Sequence, residues 1–125
     1  MVRQGVYITA RKLMDTASGI LRGFGFNDED ARIAAKVLVD TDARGVSSHG
    51  VVALPNYMQQ VKKGGIDPKA KIKVISENGS VCLMDGCNAL GQLSGVKATM
   101  RAIELAQKFG SSVVSVKNGS HYGAG

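Results

Sequence analysis

The chain has 125 residues, a formal net charge of +6, 44% hydrophobic residues and 21% charged residues, the profile of an ordinary globular domain long enough to bury a core. The charge is spread evenly, nine Lys/Arg against six Asp/Glu in residues 1–64 and seven against four in residues 65–125. With no tryptophan and three each of Phe and Tyr, neither a basic arm nor a stacking platform for nucleic acid stands out, and a diffuse positive bias suits a small anionic ligand at least as well.

Read in chain order, residues 10–24 place Ala10, Leu13, Met14, Ala17, Ile20, Leu21 and Phe24 on one helical face, with Gly23 and Gly25 as stop signals. Residues 27–45 predict a second helix. Asn27 is its cap, Asp28, Glu29 and Asp30 sit where the helix dipole favours negative charge, and the polar stripe is narrow (Arg32, Lys36, Asp40), so most of its surface should be buried. A third helix begins near Leu54 with Pro55 at its first position, an apolar face of Leu54, Tyr57, Met58 and Val61, and a stop at Gly64-Gly65. The segment Ser47-Ser48-His49-Gly50 is then a connection between two helices.

Beyond residue 70 the periodicity turns to strand. Residues 70–86 read as a hairpin around Asn78-Gly79. Gly91 opens an amphipathic helix with Leu93, Val96, Met100, Ile103, Ala106 and Phe109 inward, ending at Gly110, and SVVSV follows as a buried strand. This is an α+β (mixed α/β) pattern: a helical part, 1–70, and a hairpin, helix and strand, 71–125. Three strands under one helix leave a sheet face and an edge bare, which makes the chain look like the front portion of a longer protein.

No run of apolar residues approaches the roughly 20 that cross a bilayer, and MVRQGVYITARKL lacks the apolar core of a secretory signal, so a cytoplasmic location is expected. Cys82 and Cys87 are spaced CxxxxC, which is neither a zinc nor a redox motif; buried free thiols are expected, and no metal site. In DGCNALGQ, Gly86 and Gly91 make GxxxxG, but Gln92-Leu93 follow where a phosphate-binding loop needs Lys-Ser/Thr. The spacing is not GxGxxG either, so a structural turn is the better reading.

The two histidines stand in similar settings. His49 lies in RGVSSHGVVALPNY and His121 in GSHYGAG, each behind a serine, beside glycine and at the junction of two elements. Such junctions are where rigid scaffolds present reactive groups, and small neighbours let a ligand approach the backbone. G-x-S-x-G is absent, so a general acid or base beside a hydroxyl fits better than a serine hydrolase. Arg44 is placed to clamp a carboxylate, and the Tyr57 hydroxyl is a candidate ligand contact, with core packing an equal alternative for that ring.

DARGVSSHG…LPNY, DGCNALGQ…AIELA and GSHYGAG, in that order over essentially the whole chain, resemble the malate/L-lactate dehydrogenase family of the L-sulfolactate dehydrogenase type. The resemblance implies a hydride exchange between NAD or NADP and a 2-oxo or 2-hydroxy acid, a non-Rossmann cofactor fold beginning in residues 71–125, and a homodimer with its helical part at 1–70. It implies His49 as proton donor to the oxo oxygen and His121 near the reacting carbon and the nicotinamide. Ser48 and Tyr57 match substrate contacts, and Ser120 and His121 match cofactor contacts. Ala53 stands where the family usually has an arginine that pairs the substrate carboxylate, so either Arg44 substitutes, or the substrate differs, or this copy is impaired. A non-catalytic dimerisation or anion-binding module of the same fold is the alternative reading.

Overall fold

The computed structural model describes residues 5–124; Met1 to Gln4 of the N-terminal stretch and Gly125 of the glycine tail lie outside the described residues. The elements run α1 (Ala10–Gly23), α2 (Asp28–Ala43), α3 (Leu54–Lys62), β1 (Lys73–Asn78), β2 (Val81–Asp85), α4 (Gly91–Phe109) and β3 (Val113–Lys117). Two single 3-10 turns, Ser47–His49 and Val51–Ala53, link α2 to α3. The expected mixed α/β class is what the chain adopts.

The helix signals act as the residue chemistry requires. Thr9 caps α1 by accepting from Lys12 N–H, and Asn27 caps α2 by accepting from Asp30 N–H at 2.8 Å. Gly25 and Gly45, which follow those helices, have φ of +98° and +82°, values that cost an L side chain and not glycine. Pro55 stands in the first turn of α3, where it has no backbone partner to lose. The main apolar cluster joins Ala17 and Leu21 of α1, Ala31, Ala34, Ala35 and Leu38 of α2, Leu54, Tyr57 and Met58 of α3, and Leu90 and Leu93 at the start of α4. Small alanines on α2 let its backbone approach its neighbours closely, which is why that helix is the most enclosed.

The sheet order is β1-β2-β3. β1 and β2 pair antiparallel across a Gly79-Ser80 turn, with Asn78 opposite Val81 and an irregularity at Ile75. β2 and β3 are parallel, joined by the α4 crossover, so that Asp85 lies opposite Lys117 and both strands end together. Cys82, Met84 and Leu105 form a second buried cluster with Ala98, Val114 and Val116 around it. Arg101 of α4 clasps both carboxylate oxygens of Glu77 on β1 at 2.6 and 2.8 Å, a bidentate pair that ties helix to hairpin.

Three expectations about facing need correction. On α1, only Ala17 and Leu21 of the expected face are fully buried, and Ile20 is exposed, because α2 and α3 cover a narrower arc than the apolar stripe. On α4, Val96 is half-buried and Met100, Ile103 and Phe109 are exposed. The row that meets the sheet is the one through Ala98 and Leu105. A helix with apolar residues on two flanks satisfies one face with the sheet, and periodicity alone does not say which. β3 is not buried on both faces but alternates, with Val114 and Val116 half-buried and Val113 exposed, since α4 covers a single face of an edge strand. Both cysteines are free, Cys82 buried with its thiol pushed up by desolvation and Cys87 half-buried. No described helix is long and apolar enough to cross a membrane.

Two carboxyls are held below the usual carboxylate range. Arg101 lowers Glu77 by donating to it, and Asp85 is lowered by the Cys87 N–H and then by the Asn118 side chain. A carboxyl depressed in the folded state stabilises the fold above its unfolded value, and that contribution is lost as pH falls through the folded value. The thermal midpoint should therefore be flat from neutrality to about pH 5 and fall below about pH 4. Glu77→Gln should remove part of that acid slope in parallel pH–melting series, and an unchanged slope would exclude the Arg101 pair as its source.

Candidate active site

The site is assembled by two latches. The first lies between α2 and α3. Asp42, in the last turn of α2, accepts the Val51 N–H at 2.9 Å, and a Cβ on Gly50 would fall inside the Asp42 carboxylate. A side chain after His49 would displace that carboxylate from Val51, so glycine there keeps the chain pinned with His49 at the end of the first 3-10 turn. Ser48 Oγ lies 2.8 Å from His49 Nδ1, which orients the ring.

The second latch lies at the shared C-terminal end of β2 and β3. Asp85 Oδ1 accepts from Cys87 N–H at 2.8 Å and from Asn118 Nδ2 at 3.1 Å. Gly86 N–H donates to the Lys117 carbonyl, and Asn88 N–H to the Asn118 carbonyl, so the two connections leave the sheet as one tied unit. Cys87, Asn88 and Asn118 all take positive φ, the strained conformation that such a close double turn requires. The chain beyond Asn118 then crosses the first turn of α4. Gly91 N–H donates to Ser120 Oγ at 2.8 Å, and a Cβ on Gly91 would collide with the backbone of Ser120 and His121. The DGCNALGQ turn thus acts as a structural turn, and its second glycine lets backbone lie on backbone.

These latches bring residues 64 to 72 positions apart into one cluster. Tyr57 Oη lies 3.0 Å from His121 Nδ1. The rings of His49 and His121 stack with centroids 5.8 Å apart at 30°, and the Tyr122 ring stacks on His121 at 6.3 Å. Tyr57 is only 2% exposed while His121 is exposed, so the hydroxyl is presented from the core to a ring that opens outward. Of the six residues singled out in the sequence, Ser48, His49, Tyr57, Ser120 and His121 meet here. Arg44 does not share a hydrogen bond with either ring; its Nε donates to the Asp40 carbonyl at the end of its own helix, at 3.4 Å. Ala53 is half-buried against the main core beside the cluster.

A cleft of about 570 Å³ opens next to His121, lined by Ser94, Val116, Asn118, Ser120 and Tyr122 together with three glycines. Glycine walls, hydroxyls and an amide are the surroundings in which a polar planar group can approach the backbone. Among the described residues no three potential metal ligands cluster.

A family model described as malate/L-lactate dehydrogenase matches residues 8–125. The chain belongs to that family. It is 41% identical over 104 residues to the L-sulfolactate dehydrogenase of Methanocaldococcus jannaschii, covering 83% of this chain and 30% of that protein. It is 41% identical over 118 residues to a malate dehydrogenase of Pyrococcus abyssi, covering 94% and 33%. The solved structure of malate dehydrogenase from Pyrococcus horikoshii OT3 superposes with a TM-score of 0.91 at 36% identity, over 98% of this chain and 37% of that one. The chain spans about a third of the length of the relatives it matches.

Within this family fold, two contributors were not singled out from the sequence as side chains. Asp42 has a sequence signal only in hindsight, a carboxylate eight residues before Gly50. Gln92, only 1% exposed, donates from Nε2 to Tyr57 Oη at 3.1 Å, and nothing in its glycine-rich setting marks it as part of a histidine cluster.

The Gly91 contact yields a sharp expectation. Gly→Ala in a helix ordinarily gains up to about 1 kcal/mol. At Gly91 the added methyl overpacks the Ser120-His121 backbone, and we expect a loss of about 1–3 kcal/mol in urea unfolding. At Gly95, in the same helix, the nearest atom to a new Cβ is 3.9 Å away, and Gly95→Ala should be neutral or stabilising. Equal effects at the two positions would contradict the backbone contact.

Proposed function

We propose that this chain supplies the acid–base pair and part of the nicotinamide site of an NAD(P)-dependent oxidoreductase acting on a 2-oxo/2-hydroxy acid. The observation that carries the reading is the His49–His121 pair, brought to 5.8 Å beside a glycine-walled cleft in a chain of the malate/L-lactate dehydrogenase family. The relatives named for malate and for sulfolactate support a small acid bearing an anionic group as the substrate class.

The division of labour follows from charge. Reduction of a carbonyl builds negative charge on its oxygen, so a proton donor must already stand there. His49 is assigned that role. Ser48 holds its Nδ1, leaving Nε2 to meet the oxygen, and an imidazole exchanges protons near neutral pH in both directions of a reversible reaction. His121 is assigned to the carbon side, held by Tyr57 and by the Gly123 N–H at 3.3 Å. The cleft beyond His121, with Ser120 at its edge, fits the polar end of a nicotinamide nucleotide, NAD or NADP; when bound, that group supplies or accepts the hydride. Ser120 has an O–H proton to give even while its oxygen accepts from Gly91.

Residues 1–70 are proposed as the helical, substrate-facing and dimer-forming part, and 71–125 as the beginning of the cofactor part. Tyr57 and Ser48 then contact substrate from the first, and Ser120 and His121 contact cofactor from the second. Arg44 is the remaining candidate cation for the substrate carboxylate, because Ala53 has no charge to offer.

The test uses the chain together with any coding sequence continuous with it, monitoring NADH and NADPH oxidation with pyruvate, oxaloacetate and bulkier 2-oxo acids. His49→Ala should lower kcat by about 10²–10⁴ with a smaller change in KM, the loss typical of a general acid. Equal rates in the two proteins would remove His49 from the chemistry. In the same assay Ala53→Arg should lower KM for simple 2-oxo acids by about tenfold, the worth of one charge-assisted hydrogen bond; an unchanged KM would show that this position does not meet the carboxylate.

A further inference from the structure

Gln92 reaches the site through Tyr57 and has a feature the proposed chemistry leaves unused. Its Nε2 donates to Tyr57 Oη, while Oε1, equally buried, has no hydrogen-bond partner among the described residues. A buried amide oxygen left bare costs about 1–3 kcal/mol, and native proteins seldom keep one without a use.

The Gly123 N–H is directed at His121 Nδ1, so Nδ1 is an acceptor and a neutral ring has its proton on Nε2. Tyr57, 3.0 Å from the same nitrogen against 3.3 Å for Gly123, then donates its O–H to the lone pair the two share, and its oxygen is free to accept from Gln92. The donors run one way, from Gln92 to Tyr57 to His121. If Nδ1 instead holds a proton, it has to donate to the Tyr57 oxygen, and the Tyr57 proton needs a new acceptor. Half a turn of the Gln92 amide brings Oε1 to that place. Among the described residues no third partner holds the amide as it stands, which leaves the proton at Nδ1 to select its orientation.

We infer that Gln92 is a positioning residue whose amide reverses with the protonation of His121 Nδ1, the Tyr57 hydroxyl carrying the change between them. In one orientation the ring offers a donor at Nε2 to the cleft, and in the other Nε2 is able to offer a lone pair. A reversible carbonyl reduction needs both, so the functional consequence rests on the reading proposed above, while the hydrogen-bond reversal itself does not. The titratable groups against the His121 ring are His49 from the α2–α3 connection, Tyr57 from α3 and Tyr122 from its own loop. From α4 comes the uncharged Gln92, acting through Tyr57.

The experiment is a ¹⁵N NMR titration of the His121 ring in the protein, with His49→Gln used to assign the two histidines. Gln92→Leu removes the Gln92–Tyr57 hydrogen bond in both states, but only with Nδ1 protonated does it leave the Tyr57 O–H without an acceptor, the larger loss. The His121 titration midpoint in that variant should therefore fall, by about half a pH unit. Gln92→Met, closer in volume and also without an amide, should do the same and decides the matter if the leucine variant fails to fold. In a Tyr57→Phe background, Gln92→Leu should produce no further shift. An unmoved midpoint overturns the inference, as does an equal shift with and without the Tyr57 hydroxyl, which would mark a merely structural role. Hydride-transfer assays of the same variants report separately on the proposed function: a coupled titration with full activity in His121→Ala would sink that reading and leave the hydrogen-bond reversal standing.

Discussion

The site depends on one contact between two pieces of backbone, the first turn of α4 at Gly91 lying directly on Ser120 and His121. A side chain at that position would push the loop outward by the thickness of a methyl group. Tyr57 would then lose the His121 nitrogen, since a hydrogen bond weakens steeply over a few tenths of an ångström. The same device recurs across the cluster, where Gly50 lies on the Asp42 carboxylate. Each histidine is thus placed by a neighbouring glycine pressed onto a polar group of another element, and not by the packing of its own ring. Both rings are left open to a ligand while their backbones are held.

The polar interior beneath the rings is a consequence of that arrangement. Tyr57 and Gln92 are both nearly inaccessible, and each brings hydrogen-bonding groups into an interior of alanine, leucine and methionine with Phe26 and Ile66. Such groups lower stability unless paired; here the Gln92 amide and His121 both meet the Tyr57 hydroxyl. Core and site are therefore one network: the hydroxyl that completes the apolar packing of α3 is also the group that orients an exposed imidazole. This accounts for a tyrosine at a position that helical spacing assigns to the core. The two readings of Tyr57, core and ligand-facing, are both satisfied, by its ring and its oxygen respectively.

Several apolar surfaces stay open among the described residues. The chain spans about a third of the relatives it matches, and Met100, Ile103 and Phe109 of α4 form an apolar flank that no described residue covers. β1 is exposed along its whole length. The sequence pattern that made these residues look inward-facing reflects their chemistry correctly, while the described elements supply a partner for only one of the two flanks.

Local chemistry made much of this protein readable in advance. Asn27 before three acids, Pro55 after Leu54, Asn78-Gly79 between two strands, and glycines where φ turns positive each act within a few residues of themselves, so the element order and the mixed class follow from the sequence alone. The two histidine motifs were likewise visible as motifs. What only the tertiary structure decided was which of several acceptable neighbours each group found. It chose the Ala98–Leu105 row over the Met100–Ile103 row, gave Arg44 to the end of its own helix, and set Gln92 under Tyr57. Periodicity states that a residue prefers burial or a partner; the identity of that partner depends on contacts between segments far apart in the chain, and a hydrogen bond across 64 positions leaves no trace in the spacing of either end.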